Sequence, residues 1–370
     1  MSGEEERIAE YVAKRMNAAG LDVETVGGNV VGRSSSGEGR TLVFNSHMDT
    51  VPAGDLSQWT FDPFEAHVEE NRVYGRGAAD MKGGLAAMIL AAEVLKRSRI
   101  AVKGELILTA VVLEEVRRKL TDRKGVVELL DKGVIRGEAA VICEPTNLRV
   151  SIGHRSRTDI EIASEGKAAH GSMPETGVNA IEKMAKIIVA IKQLRLGYDP
   201  TLGRGTMNVG VIEGGTKPNV VPESCRIVID RRLTMGETPE RAVKEFEEIV
   251  AKLSAEDPDL RAKVSCPYGW YPTLISPDEE IVRTVRRAAE ATLQTSSDLV
   301  VSRFHTDGGY IHHMAKMPIV VFGPGDEALA HTTNEHIEID QVVSAAEVYA
   351  ATIRDLLSPE KLTRETSQHH

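Results

Sequence analysis

A chain of 370 residues that is 41% hydrophobic and 27% charged can bury a sizeable core and has the length for two domains. Its 45 basic and 55 acidic residues leave a formal charge of -10 with no basic stripe to neutralise a phosphate backbone, so nucleic acid is not an expected partner. Cys143, Cys225 and Cys266 are odd in number and show no CxxC spacing, no apolar run approaches the ~20 residues that span a bilayer, and the opening MSGEEERIAEYV lacks a signal-peptide profile; the expectation is a cytoplasmic protein with neither a disulfide framework nor a membrane partner.

In chain order, Ile8, Tyr11, Val12 and Met16 recur at helical spacing over residues 4 to 19, with Gly20 as the stop. Continuous apolar runs then predict buried strands at Leu42 to Phe44, Glu105 to Val112, Ala139 to Cys143 and Pro318 to Phe322, with helical patterns at Gly84 to Arg97 and Gly125 to Lys132. That rhythm predicts an α/β fold with a mostly parallel sheet flanked by helices. The middle of the chain differs. Strand Asp159 to Ser164, helix Asn179 to Leu194, strands Met207 to Ile212 and Ser224 to Asp230, helix Thr238 to Leu253 and strand Leu260 to Val264 follow a split βαβ order, and the strands alternate as in CRIVIDRRL. The expectation is an inserted α+β, ferredoxin-like domain at 156–270 within a catalytic domain made of 1–155 and 271–370. The closing His369 and His370 read as the remnant of a tag.

Ligands in open α/β sheets gather beyond the carboxyl ends of the strands. Four predicted strands lead there to His47 and Asp49, to Glu114 and Glu115, to Glu144, and through GPGDEALAH to His331; Asp80 in GRGAADMKGG precedes a helix. Each has an ordinary alternative: a hydrogen-bonded loop histidine, a solvated pair of acids, a helix cap, a surface residue. Five such accidents at one end of one sheet are harder to accept. Two histidines and three carboxylates, one of them shared, can hold two zinc-like ions, which together activate a water and polarise a carbonyl. Adjacent Glu114 and Glu115 would divide the work of base and ligand, and Asp49 would accept the second ring N–H of His47.

SHMDTVP, GRGAADMKGG, the Glu pair, CEPT, GKAAHGSMPETGVNAI and GPGDEALAHTTNE resemble the successive motifs of the co-catalytic zinc exopeptidases and deacylases, a family that includes glutamate carboxypeptidase, acetylornithine deacetylase, succinyl-diaminopimelate desuccinylase and aminoacylase. The resemblance runs from the first helix to about residue 355. It implies that Asp80 bridges two divalent ions, zinc first with cobalt or manganese accepted. His47 and Glu144 would complete one site, Glu115 and His331 the other, with Glu114 as general base. It further implies that the inserted domain is a lid through which the chain forms a homodimer, that His170 stabilises an oxyanion, and that Asn219 and Arg231 contact an N-acyl amino acid or short peptide substrate.

Three departures from the family pattern stand out. The chain starts late by comparison, Ser156 replaces a glycine, and Arg117 and Arg118 follow the Glu pair where glycines are usual. Three expectations therefore stand beside one another: an amide-bond hydrolase, a catalytically weak metal- and ligand-binding protein on the same fold, and a non-metal α/β protein with acidic surface clusters.

Overall fold

The computed structural model describes residues 4–100, 102–115 and 123–357, so Arg117, Arg118, His369 and His370 lie outside the described residues. The described chain divides into two compact units, one of residues up to 154 and from 273 onward, the other of 155–272.

In the first unit, helix Glu6–Ala18 buries Val12 and Met16, while Tyr11 turns to solvent. It ends at Gly20, whose φ of +89° suits the residue after a helix stop. Strands β1 (Asp22–Val26) and β2 (Asn29–Ser35) form a hairpin that the apolar runs did not announce. Its two-residue turn is Gly27 and Gly28, both at positive φ, the geometry whose twist matches the flanking strands.

β3 (Thr41–His47), β4 (Glu105–Val111), β5 (Ala139–Ile142), β6 (Val150–His154), β7 (Thr273–Leu274), β8 (Leu299–Ser302) and β9 (Ile319–Val321) complete a nine-stranded sheet. Its order is β1-β2-β4-β3-β5-β9-β6-β7, with β8 paired to β6. β3 runs parallel to β4 and β5, and β9 parallel to β5. The hairpin joins β4 antiparallel, as β6 joins β9 and β7 joins β6, so the parallel sheet is the centre and its flanks are mixed.

The central strands are buried on both faces because helices cover them. Helix Gly83–Arg97 packs on helix Ile339–Leu356, which packs in turn on Glu280–Leu293, and helix Val126–Asp131 meets Gly308–Ala315. Tyr349 fixes one such contact: its ring meets Phe44 edge-on at 5.1 Å and its hydroxyl donates to the Phe322 carbonyl at 2.6 Å. Gly84 fixes another. A Cβ there would overlap the carbonyl oxygen of Cys143, so only glycine lets this helix start against the end of β5.

The second unit has its own core, built from Ile160, Ile162, Ile187, Ile227, Ile229 and Phe246 among others. Strands Thr158–Glu165, Thr206–Gly214, Ser224–Arg232 and Arg261–Gly269 alternate with helices Ala180–Ile191 and Pro239–Glu256 in βαββαβ order. In the four-stranded sheet, Thr206–Gly214 lies at one edge, followed by Ser224–Arg232, Thr158–Glu165 and Arg261–Gly269, each antiparallel to its neighbour. Both helices begin at side-chain caps: Asn179 accepts from the amides of Ile181 and Glu182, and Thr238 from that of Arg241. Among the described residues, no helix is long and apolar enough to cross a membrane.

Gly84→Ala forces the helix away from β5 and is expected to lower stability by about 1–3 kcal/mol, the usual range for overpacking. Urea unfolding monitored by circular dichroism checks this, with a reduced midpoint as the expected result.

Candidate metal centre

β3 stays buried to its last residue and delivers His47 at the carboxyl end of the sheet. β4 leads through Leu113 to Glu114 and Glu115, and β5 leads through Cys143 to Glu144. The turn before helix Gly83–Arg97 carries Asp80; Gly77 enters it at φ +82°, and the Asp80–Met81 peptide is cis. Leu113 and His331 both occupy the left-handed region, at φ 63° each, as do nine other non-glycine residues among those described.

These segments meet around Asp80. His47 Nε2 lies 3.1 Å from Asp80 Oδ1 and 3.8 Å from Glu144 Oε1. On the other side, His331 Nε2 lies 3.2 Å from Asp80 Oδ2 and 2.8 Å from Glu115 Oε1. Within each of the groups His47, Asp80, Glu144 and Asp80, Glu115, His331, the ligand atoms fall within 4.8 Å of one another. Asp80 belongs to both.

Glu114 belongs to neither group, although it is buried beside them. Its place is set by Asp49, whose Oδ1 accepts the Glu114 amide at 3.1 Å and whose Oδ2 accepts the Glu115 amide at 3.0 Å. His47 Nδ1 is 3.0 Å from the Asp49 backbone carbonyl and 3.5 Å from its Oδ1, so Asp49 meets the ring with both main chain and carboxylate while that carboxylate also holds the Glu pair.

The electrostatics favour cations. Burial pushes the Glu114, Glu144 and Glu115 carboxyls above their ordinary range, with neighbouring carboxylates adding to the shift. Burial would do the same to Asp80, but hydrogen bonds from His331 and His47 outweigh it and hold Asp80 low. Hydrogen bonds to Asp80 and Glu115 push His331 up to about 10. Burial disfavours a charge on His47, yet its contacts with Asp49 and Asp80 leave it well above the usual imidazole value. Imidazole nitrogens and carboxylate oxygens without thiolate are donors that suit zinc, cobalt or manganese.

Glu335 was not singled out as a site residue from the sequence, though it closes the stretch GPGDEALAHTTNE. It has no exposed surface, and its carboxylate accepts the amides of Gly77, Ala79 and Asp80.

His170, Asn219 and Arg231 belong to the second unit. His170 is exposed and joined to Val220 by an isolated bridge, and the Gly171 amide donates to the Asn219 carbonyl at 2.9 Å. His170 Nδ1 lies 2.7 Å from the Ser172 hydroxyl and 3.2 Å from the Ser172 amide nitrogen. Arg231 is buried: its guanidinium pairs with Glu237 and donates to the carbonyls of Arg232 at 2.7 Å and Thr206 at 3.3 Å. Its neighbour Arg232, one step along the strand and therefore on the other face, is 28% exposed and paired with Asp230 at 2.7 Å.

The model of Peptidase family M20/M25/M40 matches residues 43–355. The chain is 33% identical to the uncharacterized protein YgeY of Escherichia coli K12, with 95% of this chain and 89% of YgeY covered. It is 30% identical to the acetylornithine deacetylase of Myxococcus xanthus, covering 94% and 91% of the two chains. Among solved structures, aminopeptidase PepT from Bacillus cereus superimposes with a TM-score of 0.76 at 25% identity over 95% of this chain and 93% of PepT.

A shared carboxylate has a measurable consequence. Asp80→Ala is expected to lower metal content at both positions and His331→Ala at one, as read by inductively coupled plasma analysis of protein loaded with Zn2+ and desalted.

Proposed function

The chain belongs to peptidase family M20/M25/M40, and from that premise we propose that it hydrolyses an amide bond in an N-acyl amino acid or short peptide with two divalent ions. The family is one of metal-dependent hydrolases. The observation that carries the finer reading is the pair of histidine and carboxylate groups sharing Asp80, with the buried acid Glu114 beside them but outside both. Zinc is the first choice for the ions; cobalt and manganese accept the same donors.

Amides resist water because the carbonyl is a weak electrophile and the amine a poor leaving group. Divalent ions, when bound by His47, Asp80, Glu144, Glu115 and His331, supply Lewis acidity to water and carbonyl. Glu114 takes the proton of the attacking water on its carboxylate and returns it to the nitrogen as the C–N bond breaks. Its burial beside the two groups and outside both suits it to hold that proton between those two moments. Asp49 keeps Glu114 and Glu115 in register by gripping both amides.

His170, whose Nδ1 is engaged with Ser172, is the donor proposed for the tetrahedral oxyanion. Asn219 is proposed to contact the substrate from the adjoining turn. The expected carboxylate contact of Arg231 competes with Glu237, which already occupies that guanidinium. Arg232 is the more accessible partner for a substrate carboxylate.

The acetylornithine deacetylase and aminopeptidase relatives support both branches of the substrate class. A homodimer through the second unit is supported by its edge strand Thr206–Gly214, which exposes Val211 and Ile212, and by Ile181 and Val189 on the neighbouring helix. Ile212→Lys is expected to convert the dimer to monomer in light scattering; a wild-type monomer at micromolar concentration would refute the pairing.

The deciding experiment is amine release over a panel of N-acetyl, N-succinyl and dipeptide substrates. Activity is expected to vanish with chelator and to return with Zn2+, Co2+ or Mn2+. Glu114→Ala is expected to keep its metal and lose about 10²- to 10⁴-fold in kcat. Retained turnover in that variant would reassign the base, and metal binding without turnover of any substrate would favour a binding protein.

A further inference from the structure

Glu335 is fully enclosed, and an enclosed carboxylate is costly unless its lone pairs are all met. Here they are. Oε1 accepts the amides of Ala79 at 2.9 Å and Asp80 at 3.1 Å, while Oε2 accepts the amide of Gly77 at 3.1 Å and the guanidinium of Arg76. Four donors on two oxygens is the full capacity of a carboxylate. Arg76 is buried in turn, with its guanidinium carbon 5.2 Å from the centre of the Trp59 ring, and the Trp59 indole donates to the Ala53 carbonyl at 2.9 Å.

The turn carrying Asp80 is therefore wrapped around an anion, as phosphate-binding turns are, but the chain itself supplies the anion. That anion stands four positions beyond His331 in the sequence. The main chain repeats the link, since the Gly75 amide donates to the Glu335 carbonyl at 2.9 Å and His336 pairs with Tyr74 in the next strand.

We propose that Glu335 is a positioning residue for the metal centre: by gathering the amides of Gly77, Ala79 and Asp80 it aims the Asp80 carboxylate and locks the Asp80 turn to the segment bearing His331. The spacing of both ligand groups then depends on a carboxylate that is a member of neither. This inference rests on the two-metal reading. It also explains why the acid lies behind the turn: an anion that only balanced charge would work equally well among the ligands, whereas three amides converging on one side chain fix a backbone direction.

The test uses Co2+ alone as probe, with wild type, Glu335→Gln and Glu335→Asp. Gln keeps the shape but turns an NH2 group toward donors; Asp keeps the charge but withdraws it by one methylene. Wild type is expected to bind two Co2+ per chain. Glu335→Gln is expected to bind about 10- to 100-fold more weakly, the range seen when groups supporting metal ligands are removed, with altered visible absorption of the bound Co2+. Glu335→Asp is expected to fall between the two and decides the matter if the Gln variant does not fold. At saturating Co2+ the variants should lose kcat with little change in KM, because the ligands and not the substrate contacts have moved. Wild-type Co2+ affinity and spectrum in a variant whose melting temperature alone has dropped would overturn the proposal and leave Glu335 a structural residue. A wild-type chain that binds no Co2+ would overturn the two-metal reading and the proposal with it.

Discussion

Asp80 lies between two imidazoles, 3.1 Å from His47 and 3.2 Å from His331, and the first unit is organised around what that position demands. Glu114, Glu115 and Glu144 surround it in a buried space where each carboxyl is pushed toward holding its proton, while Asp80 alone is drawn the other way by its two partners. Buried acids in such a space either keep their protons or gain nearby positive charge. His47 and His331 flank Asp80, and a pair of divalent ions could use the same geometry.

The scaffold makes the convergence economical. Parallel strands deliver their carboxyl ends to a common edge, so β3, β4, β5 and β9 bring the segments of His47, Glu114, Glu144 and His331 to one side without long excursions. The remaining candidate ligand, Asp80, arrives from a helix start that Gly84 allows to press against the end of β5. Two of the loop tips at the site, Leu113 and His331, take left-handed backbone, and they are carried by strands and helices whose apolar faces are buried. Asp49 and Glu335 then do with hydrogen bonds what strand geometry cannot: one fixes the Glu pair, the other the Asp80 turn.

The second unit shows how one residue along a strand changes a role. Arg231 and Arg232 are adjacent in a motif that reads as a carboxylate contact, but successive side chains of a strand point to opposite faces. Arg231 falls on the face that carries Ile227 and Ile229 and is taken up by Glu237, whereas Arg232 lies on the other face, 28% exposed and paired with Asp230.

What the sequence alone determined is what is written within a few neighbouring residues: the apolar runs of the central strands, the helix and strand order of the inserted unit, and acids or histidines placed directly after strand ends. Helix Glu280–Leu293 and the Gly27 and Gly28 hairpin turn were not read from the sequence, although Ile281, Val282, Val285, Ala288 and Ala289 carry a helical period and the paired glycines a turn signal. Only the tertiary structure decided that the sheet is antiparallel at its flanks, that Arg231 is enclosed, and that Glu335 receives the amide of Gly77 from a position 258 residues away. The reason is physical. Periodicity and turn chemistry act through short-range sterics that every local stretch records, whereas the partner of a buried charge is chosen by whichever distant donors the finished packing brings within hydrogen-bond reach.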